Sequence, residues 1–312
     1  MNKVRQLVKR TALVGLGSYA TLVGAGYGVY YLAMNWSSKQ KRAGISASLK
    51  ENTPDENQWY QNQQRQAWSI ETPDGLTLRA TFIAGYQPSY GVVILAHGLH
   101  HAREQMIPWA KLMIEQGFSV LMPDARAHGR SDGNVIGYGW LDRKDYQQWI
   151  NTVVERCGLT VQIVLLGISM GATTVMAAGG QALPKNVKGI IEDSGYRSVF
   201  QEGKFRLWHK YHVPSTALMP IANSFAKHLA GYAFREGDIL AQVRQNHLPI
   251  LMIHGGEDQT VPVQDAYALY DAANVPKQLM IDRQAPHIRA IRTHPDRYRR
   301  TVLAFLRRSL IH

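Results

Sequence analysis

One cysteine, Cys157, stands in 312 residues. That excludes an intrachain disulfide and any metal site built from cysteines, and it reads Cys157 as a small buried apolar residue. Acidic residues are missing from the first 50 positions, and Asp296 is the one acid after residue 282. The net charge of +12 therefore sits at the ends: +8 over residues 1–50, −3 over 51–282 and +7 over 283–312. A middle so close to neutral argues against a nucleic-acid partner, which would be met by a basic stripe on the folded body. There is no repeat period, and 45% hydrophobic with 19% charged residues excludes a disordered chain or a multi-span membrane protein.

Residues 11–34 carry no charge. As a helix they would cover about 36 Å, enough to cross a hydrocarbon core of roughly 30 Å. Lys3, Arg5, Lys9 and Arg10 precede them, and Tyr27, Tyr30, Tyr31 and Trp36 cluster at the far end. This pattern predicts an uncleaved anchor over residues 1–36, a single-pass cell-membrane localisation and a catalytic domain outside. A cleaved signal peptide is the alternative, but the apolar stretch exceeds the usual core of such peptides. With four Leu, no Ile, no Phe and five Gly, insertion is only modestly favourable. The eight arginines after residue 282 read as a solvated helix face, with contact to an anionic surface as the alternative.

Residues 37–67 are polar and predict a tether, with a short helix starting at Thr53-Pro54 and running to about Gln66. From residue 68 the pattern changes. Two strand-like runs flank the turn Pro73-Asp74-Gly75. Apolar runs at 92–96, 119–122, 162–166, 189–192, 250–253 and 278–281 then alternate with helical patterns near 104–116, 143–156, 172–182, 263–273 and 296–310. This predicts an α/β domain over 68–312, with a mostly parallel sheet flanked by helices. Residues of about 195–247 interrupt the rhythm and predict a helical lid. Its aromatics Phe205, Trp208, Tyr211, Phe225, Tyr232 and Phe234 either line an apolar acyl pocket or pack the insert itself.

Gly167-Ile168-Ser169-Met170-Gly171 fits G-x-S-x-G between an apolar strand and a helix of small residues. That context is what a nucleophile elbow needs, with Ser169 exposed on a sharp turn. A serine hydroxyl is weak alone and requires a base and an acid to orient it. In the expected chain order, Asp258 follows the strand at 250–253 as the acid, and His287 comes last as the base. Glu257 and Asp193 are rival acids, and His294 before Pro295 reads as a capping or solvent residue. The Met170 and Leu99 N–H groups are the candidate oxyanion donors. His97, His100 and His101 share the short loop of Leu99 with no carboxylate beside them, which favours an oxyanion loop over a metal site.

Together, His97-Gly98, Pro123-Asp124-x-Arg126-x-His128-Gly129-x-Ser131, Gly167-x-Ser169-x-Gly171, His254-Gly255-x-x-Asp258-x-x-Val261-Pro262 and His287 resemble the α/β-hydrolase superfamily over residues 68–311. Glu192-Asp193-Ser194-Gly195-Tyr196 and Gly231-Tyr232-x-Phe234 resemble bacterial membrane-anchored serine hydrolases of the esterase-like or prolyl-oligopeptidase-like group. That group commonly has Gly before the catalytic His, where this chain has Pro286. The resemblance implies the fold and serine chemistry.

The leading expectation is a serine hydrolase cleaving small-molecule carboxylic esters with an apolar acyl group, needing no metal and no organic cofactor. A serine peptidase, amidase or acyltransferase on the same fold is the alternative. A non-catalytic surface-anchored binding module is the alternative of another class, and a missing triad member would mark it.

Overall fold

The computed structural model describes residues 19–86 and 89–310. Eight strands form one sheet: β1 Arg65–Glu71, β2 Thr77–Ile83, β3 Val92–Ala96, β4 Ser119–Pro123, β5 Ile163–Ile168, β6 Val187–Asp193, β7 Ile250–Gly255 and β8 Lys277–Asp282. Their order is β1-β2-β4-β3-β5-β6-β7-β8. β2 pairs antiparallel with β1 and β4, and all later pairings are parallel.

The helices are α1 at 19–34, α2 Ser38–Glu51, α3 Pro54–Gln61, α4 Ile107–Glu115, α5 Asp142–Cys157, α6 Met170–Gly179, α7 Val199–His209, α8 Ser215–Leu229, α9 Ile239–Gln245, α10 Val263–Ala272, α11 Ala290–Thr293 and α12 Pro295–Ser309.

The central strands read as unbroken apolar runs because both their faces are covered. Val93, Leu95, Val164, Leu166, Leu251 and Ile253 enter one core, shared with Trp109 of α4 and Tyr298 and Phe305 of α12. Their alternate neighbours Val92, Ile94, Ile163, Leu165, Ile250 and Met252 enter the other, with Trp149 of α5, Val175 of α6 and Val243 of α9. Period-two alternation thus feeds two cores. Each such side chain contributes about 1.5–3 kcal/mol by burial, which fixes the register that places the loops at the strands' carboxyl ends.

The chain divides into two compact units. Among the described residues, 19–35 with Phe200–Glu236 form one, and 36–199 with 237–310 form the other, which holds the sheet. The stretch 195–247, expected as a helical lid, is helical, but only residues 200–236 of it fall outside the unit that holds the sheet. Ile239 and Val243 of α9 belong to the sheet's helical layer instead.

The expected membrane anchor and cell-membrane localisation are corrected. Among the described residues, no helix is long and apolar enough to cross a membrane. Residues 1–18, with Lys3, Arg5, Lys9 and Arg10, lie outside the described residues. In the described remainder, α1, Tyr30 and Met34 are buried against protein, while Leu22, Tyr31 and Leu32 are exposed. The Tyr27 ring meets Phe225 edge-on at 5.2 Å, Met34 is 0% exposed, and the Tyr232 hydroxyl lies 3.7 Å from the Met34 sulfur. Gly26 lets α8 approach, since a Cβ there would lie 2.4 Å from Cγ2 of Ile221. Gly26 thus serves helix packing, while Gly24 and Gly28 face open space.

Two further expectations change. The stretch 37–67, expected as a polar tether, holds α2, α3 and the start of β1. α2 opens with a capping box of Ser37 and Gln40, and α3 with one of Thr53 and Glu56. Cys157 is exposed rather than buried, because it ends α5 on the solvent side.

Candidate active site

β5 ends at Ile168 and α6 begins at Met170, so Ser169 is the whole connection. Its φ of 52° and ψ of −118° put it in strained backbone. The glycines of the motif permit this. A Cβ on Gly167 would lie 2.1 Å from the Gly171 carbonyl oxygen, and one on Gly171 would lie 2.0 Å from that of Ala96. The Ser169 N–H donates to the Asp193 carbonyl at 2.8 Å, which ties the turn to β6.

Three side chains from distant loops meet at this turn. Ser169 Oγ lies 2.9 Å from His287 Nε2, and His287 Nδ1 lies 2.6 Å from Asp258 Oδ2. The Asp258 side chain is 0% exposed, and its other oxygen accepts the Thr260 and Val261 N–H groups at 2.8 and 2.9 Å. Burial opposes its ionisation, but the bonds from His254 and His287, the His287 charge and the Val261 N–H outweigh that. Its carboxyl is held well below the usual range. His254 Nε2 approaches the same carboxylate at 3.3 Å. Pro286 does not prevent these contacts.

The loop after β3 lies against Ser169, since a Cβ on Gly98 would sit 3.5 Å from the Ser169 Cβ. Leu99 packs on the small cluster that contains Met170. Within the loop, the Gly98 N–H donates to Gln105 Oε1 at 2.8 Å, the His100 N–H to His128 Nε2 at 3.1 Å, and the His101 N–H to the Gly98 carbonyl at 3.4 Å. Among these described bonds the Leu99 N–H has no acceptor. Met170 is the first residue of α6, so its N–H has no helical carbonyl to meet.

The chain is similar to several known proteins. A family model described as serine aminopeptidase, S33, matches residues 87–210. The Bacillus subtilis protein YqkD is 26% identical over 94% of this chain and 96% of its own. YfhR of Escherichia coli K12 is 28% identical over 78% of this chain and 82% of its own. The solved structure of the Pyrococcus furiosus esterase Pf2001 superposes with a TM-score of 0.67 at 23% identity, over 83% of this chain and 97% of that one. The fold is that of the α/β hydrolases.

In this fold the rival acids lie elsewhere. Glu257 is exposed. Asp193 is buried at the end of β6, where one oxygen accepts the Ser194 hydroxyl at 3.0 Å and the buried Tyr298 hydroxyl faces the carboxyl. His294 does not cap α12; its Nδ1 pairs with Asp282 at 2.8 Å.

The sequence reading missed the supports of the loop after β3. His97 Nε2 accepts the Ala125 N–H at 3.0 Å, so its Nδ1 carries the proton and donates to the Gly98 carbonyl at 2.8 Å. His128 works the same way, donating from Nδ1 to the Arg126 carbonyl at 2.9 Å. Burial holds both neutral, with His97 lowered to about 4 and His128 lowered well below its ordinary value. Asp124 accepts from the Arg103 backbone and guanidinium and from the Arg130 N–H, which pins the turn that follows the loop. The signal for these was present in the motif from Pro123 to Ser131, read there only as resemblance.

Proposed function

We propose that the chain is a serine hydrolase cleaving small-molecule carboxylic esters, with Ser169 as nucleophile, His287 as base, Asp258 as acid, and Leu99 and Met170 as oxyanion donors. The observation that carries this is the unbroken line from Ser169 Oγ through His287 to Asp258, with bonds of 2.9 and 2.6 Å. Asp258 holds the tautomer with hydrogen on Nδ1, leaving Nε2 free to take the serine proton. As Oγ attacks the acyl carbon, the carbonyl oxygen becomes an oxyanion, and the Leu99 and Met170 N–H groups would receive it. The imidazolium returns its proton to the leaving alcohol, and water then releases the acid by the same steps in reverse.

An amide or peptide substrate is the second reading, favoured by the description of the matching family model. A non-catalytic module would have no need of the strained turn at Ser169 or of a buried carboxylate bonded to His287.

The test is fluorophosphonate labelling of the protein together with hydrolysis of p-nitrophenyl esters of increasing acyl length and of aminoacyl p-nitroanilides. Labelling and ester turnover are expected, both abolished by Ser169→Ala, with turnover falling at least about 10⁴-fold. Near-normal turnover in that variant would exclude serine catalysis. Faster anilide cleavage would make the chain an amidase. Rates that rise with acyl length would support the apolar acyl group. Phe225, Tyr232 and Phe234 pack within their own unit, while Trp208 and Tyr211 are exposed, so acyl preference rests on that panel.

A further inference from the structure

The loop from Gly98 to Gln105 is held by more than the sheet's own connections. α2, which precedes all eight strands, lies along it. Gly44, Ser48, Glu51 and Asn52 stand at i, i+4, i+7 and i+8, one face of that helix. A Cβ on Gly44 would lie 2.7 Å from the His100 carbonyl oxygen. Ser48 Oγ accepts the Ala102 N–H at 2.9 Å, and Asn52 Nδ2 donates to the Glu104 carbonyl at 2.9 Å. Trp36, just before the helix, stacks on His100 at 4.0 Å.

Glu51 reaches furthest into the site's supports. Its Oε1 meets His101 Nε2 at 3.2 Å and Arg289 Nη2 at 3.5 Å, and its Oε2 accepts from Gln105 Nε2 at 3.3 Å. Gln105 in turn accepts the Gly98 N–H beside Ser169, His101 Nδ1 meets the Leu99 carbonyl at 2.9 Å, and Arg289 stands two residues after His287. One carboxylate therefore braces both loops that carry the proposed chemistry.

We propose that Glu51 is a positioning residue for the reaction, holding the oxyanion loop in its working shape through a protonated His101 and through Gln105. The inference rests on the serine-hydrolase reading above. Both ring nitrogens of His101 face acceptors, the Leu99 carbonyl and the Glu51 carboxylate, so only the imidazolium makes both bonds. The groups facing it are Glu51 from α2, Arg289 from the loop after His287, and His97 from its own loop. Burial works against the charge, but the bonds to Glu51 and Leu99 and the Glu51 charge outweigh burial and Arg289, and His101 is raised above its ordinary value. The same pairing, against burial, draws Glu51 down to about 2.

A base with a raised pKa keeps its proton at lower pH and loses it as pH rises through the raised value. The loop therefore loosens on the alkaline side, opposite to the acid limb set by a base that must be free, His287. The test is kcat and KM of the full chain for p-nitrophenyl acetate from about pH 5 to about pH 10, normalised to active sites titrated with a fluorophosphonate. Wild type is expected to show an alkaline limb. In Glu51→Gln that limb moves to lower pH, and kcat near pH 8 falls about tenfold with KM little changed, because oxyanion contacts act in the transition state. In His101→Gln the limb disappears. A wild type without the limb, or a limb that stays in place in both variants, overturns the proposal. So does a Glu51→Gln protein whose only defect is a lower melting temperature or a smaller active fraction. Ser169→Ala separates the two readings: if it abolishes turnover while the limb ignores Glu51, only the positioning role falls.

Discussion

The ends of β6 and β7 each present a buried carboxylate near Ser169, and they differ in the donors that surround them. Asp258, beyond β7, accepts two backbone N–H groups and His287, and its ionised form is held far into the acid range. Asp193, at the end of β6, meets the hydroxyls of Ser194 and Tyr298 in place of backbone N–H groups, and burial outweighs them and pushes it up to about 6. Beside it Glu192, also buried, is pushed up to about 8. Burial alone makes a carboxyl neutral, while burial with donors makes an anion that can hold an imidazolium. Position at a strand's carboxyl end does not distinguish the two; the turn that follows β7 does.

The largest expected effect tests that contrast directly. Asp258→Asn should lower kcat on an activated ester by about 10⁴, because the amide no longer favours the productive tautomer. Asp193→Asn should cost less than about tenfold, since Asp193 touches neither ring nitrogen of His287. Steady-state kinetics of the two variants, side by side, would break the comparison if the costs came out reversed.

This contrast also marks how much could be read from the sequence. Continuous apolar runs placed β3 over 92–96, and β4 to β8 within two residues, because strands buried on both faces have a one-dimensional signature. The sharp strand-to-helix turn at Ser169 was legible because glycines on both sides of it have a steric reason. Asp258 and Asp193 remained rivals because hydrogen-bond donors converge in space from residues separated along the chain. The role of 37–67 was hidden for the same reason. Its polar residues resemble solvent-exposed linker, yet Ser48, Glu51 and Asn52 spend their polarity on one loop. Residues 11–34 misled in the opposite sense. An uncharged run fits a bilayer as well as a helix packed on protein, and of its described glycines Gly26 alone marks the second.

A smaller effect should appear in stability against pH. Glu192 ionises near its ordinary value when unfolded but is held protonated up to about 8 when folded, by burial first and with Asp193 and Asp265 adding to it against His254. The folded state binds more protons in that window, so wild-type stability falls as pH rises from about 4.5 toward about 8. Glu192→Gln keeps an oxygen to accept the Gly195 N–H and removes the ionisation. Urea unfolding should find the variant gaining on wild type as pH rises, by about 1 kcal/mol or more near pH 8. A gain that shrinks with pH would mean that Glu192 is an anion in the fold.

The smallest effect joins the two strand ends. Ser194 has a φ of 62° and Ile288 a φ of 54°, and a positive φ at a β-branched residue is costly. The Ser194 hydroxyl donates to Asp193 and accepts the Ile288 N–H at 3.2 Å, immediately after His287. It thereby anchors the His287 loop to the end of β6. Ser194→Ala would leave the buried Ile288 N–H without its acceptor, at a cost of about 1–3 kcal/mol. The Asp258 bond still orients the ring, so kcat should fall only about threefold while the melting temperature drops. Kinetics and a thermal melt on one preparation check both. A collapse of kcat approaching that of Asp258→Asn would mean that the β6 end, through Ser194, shares in holding His287, and the contrast between the two carboxylates would have to be redrawn around both.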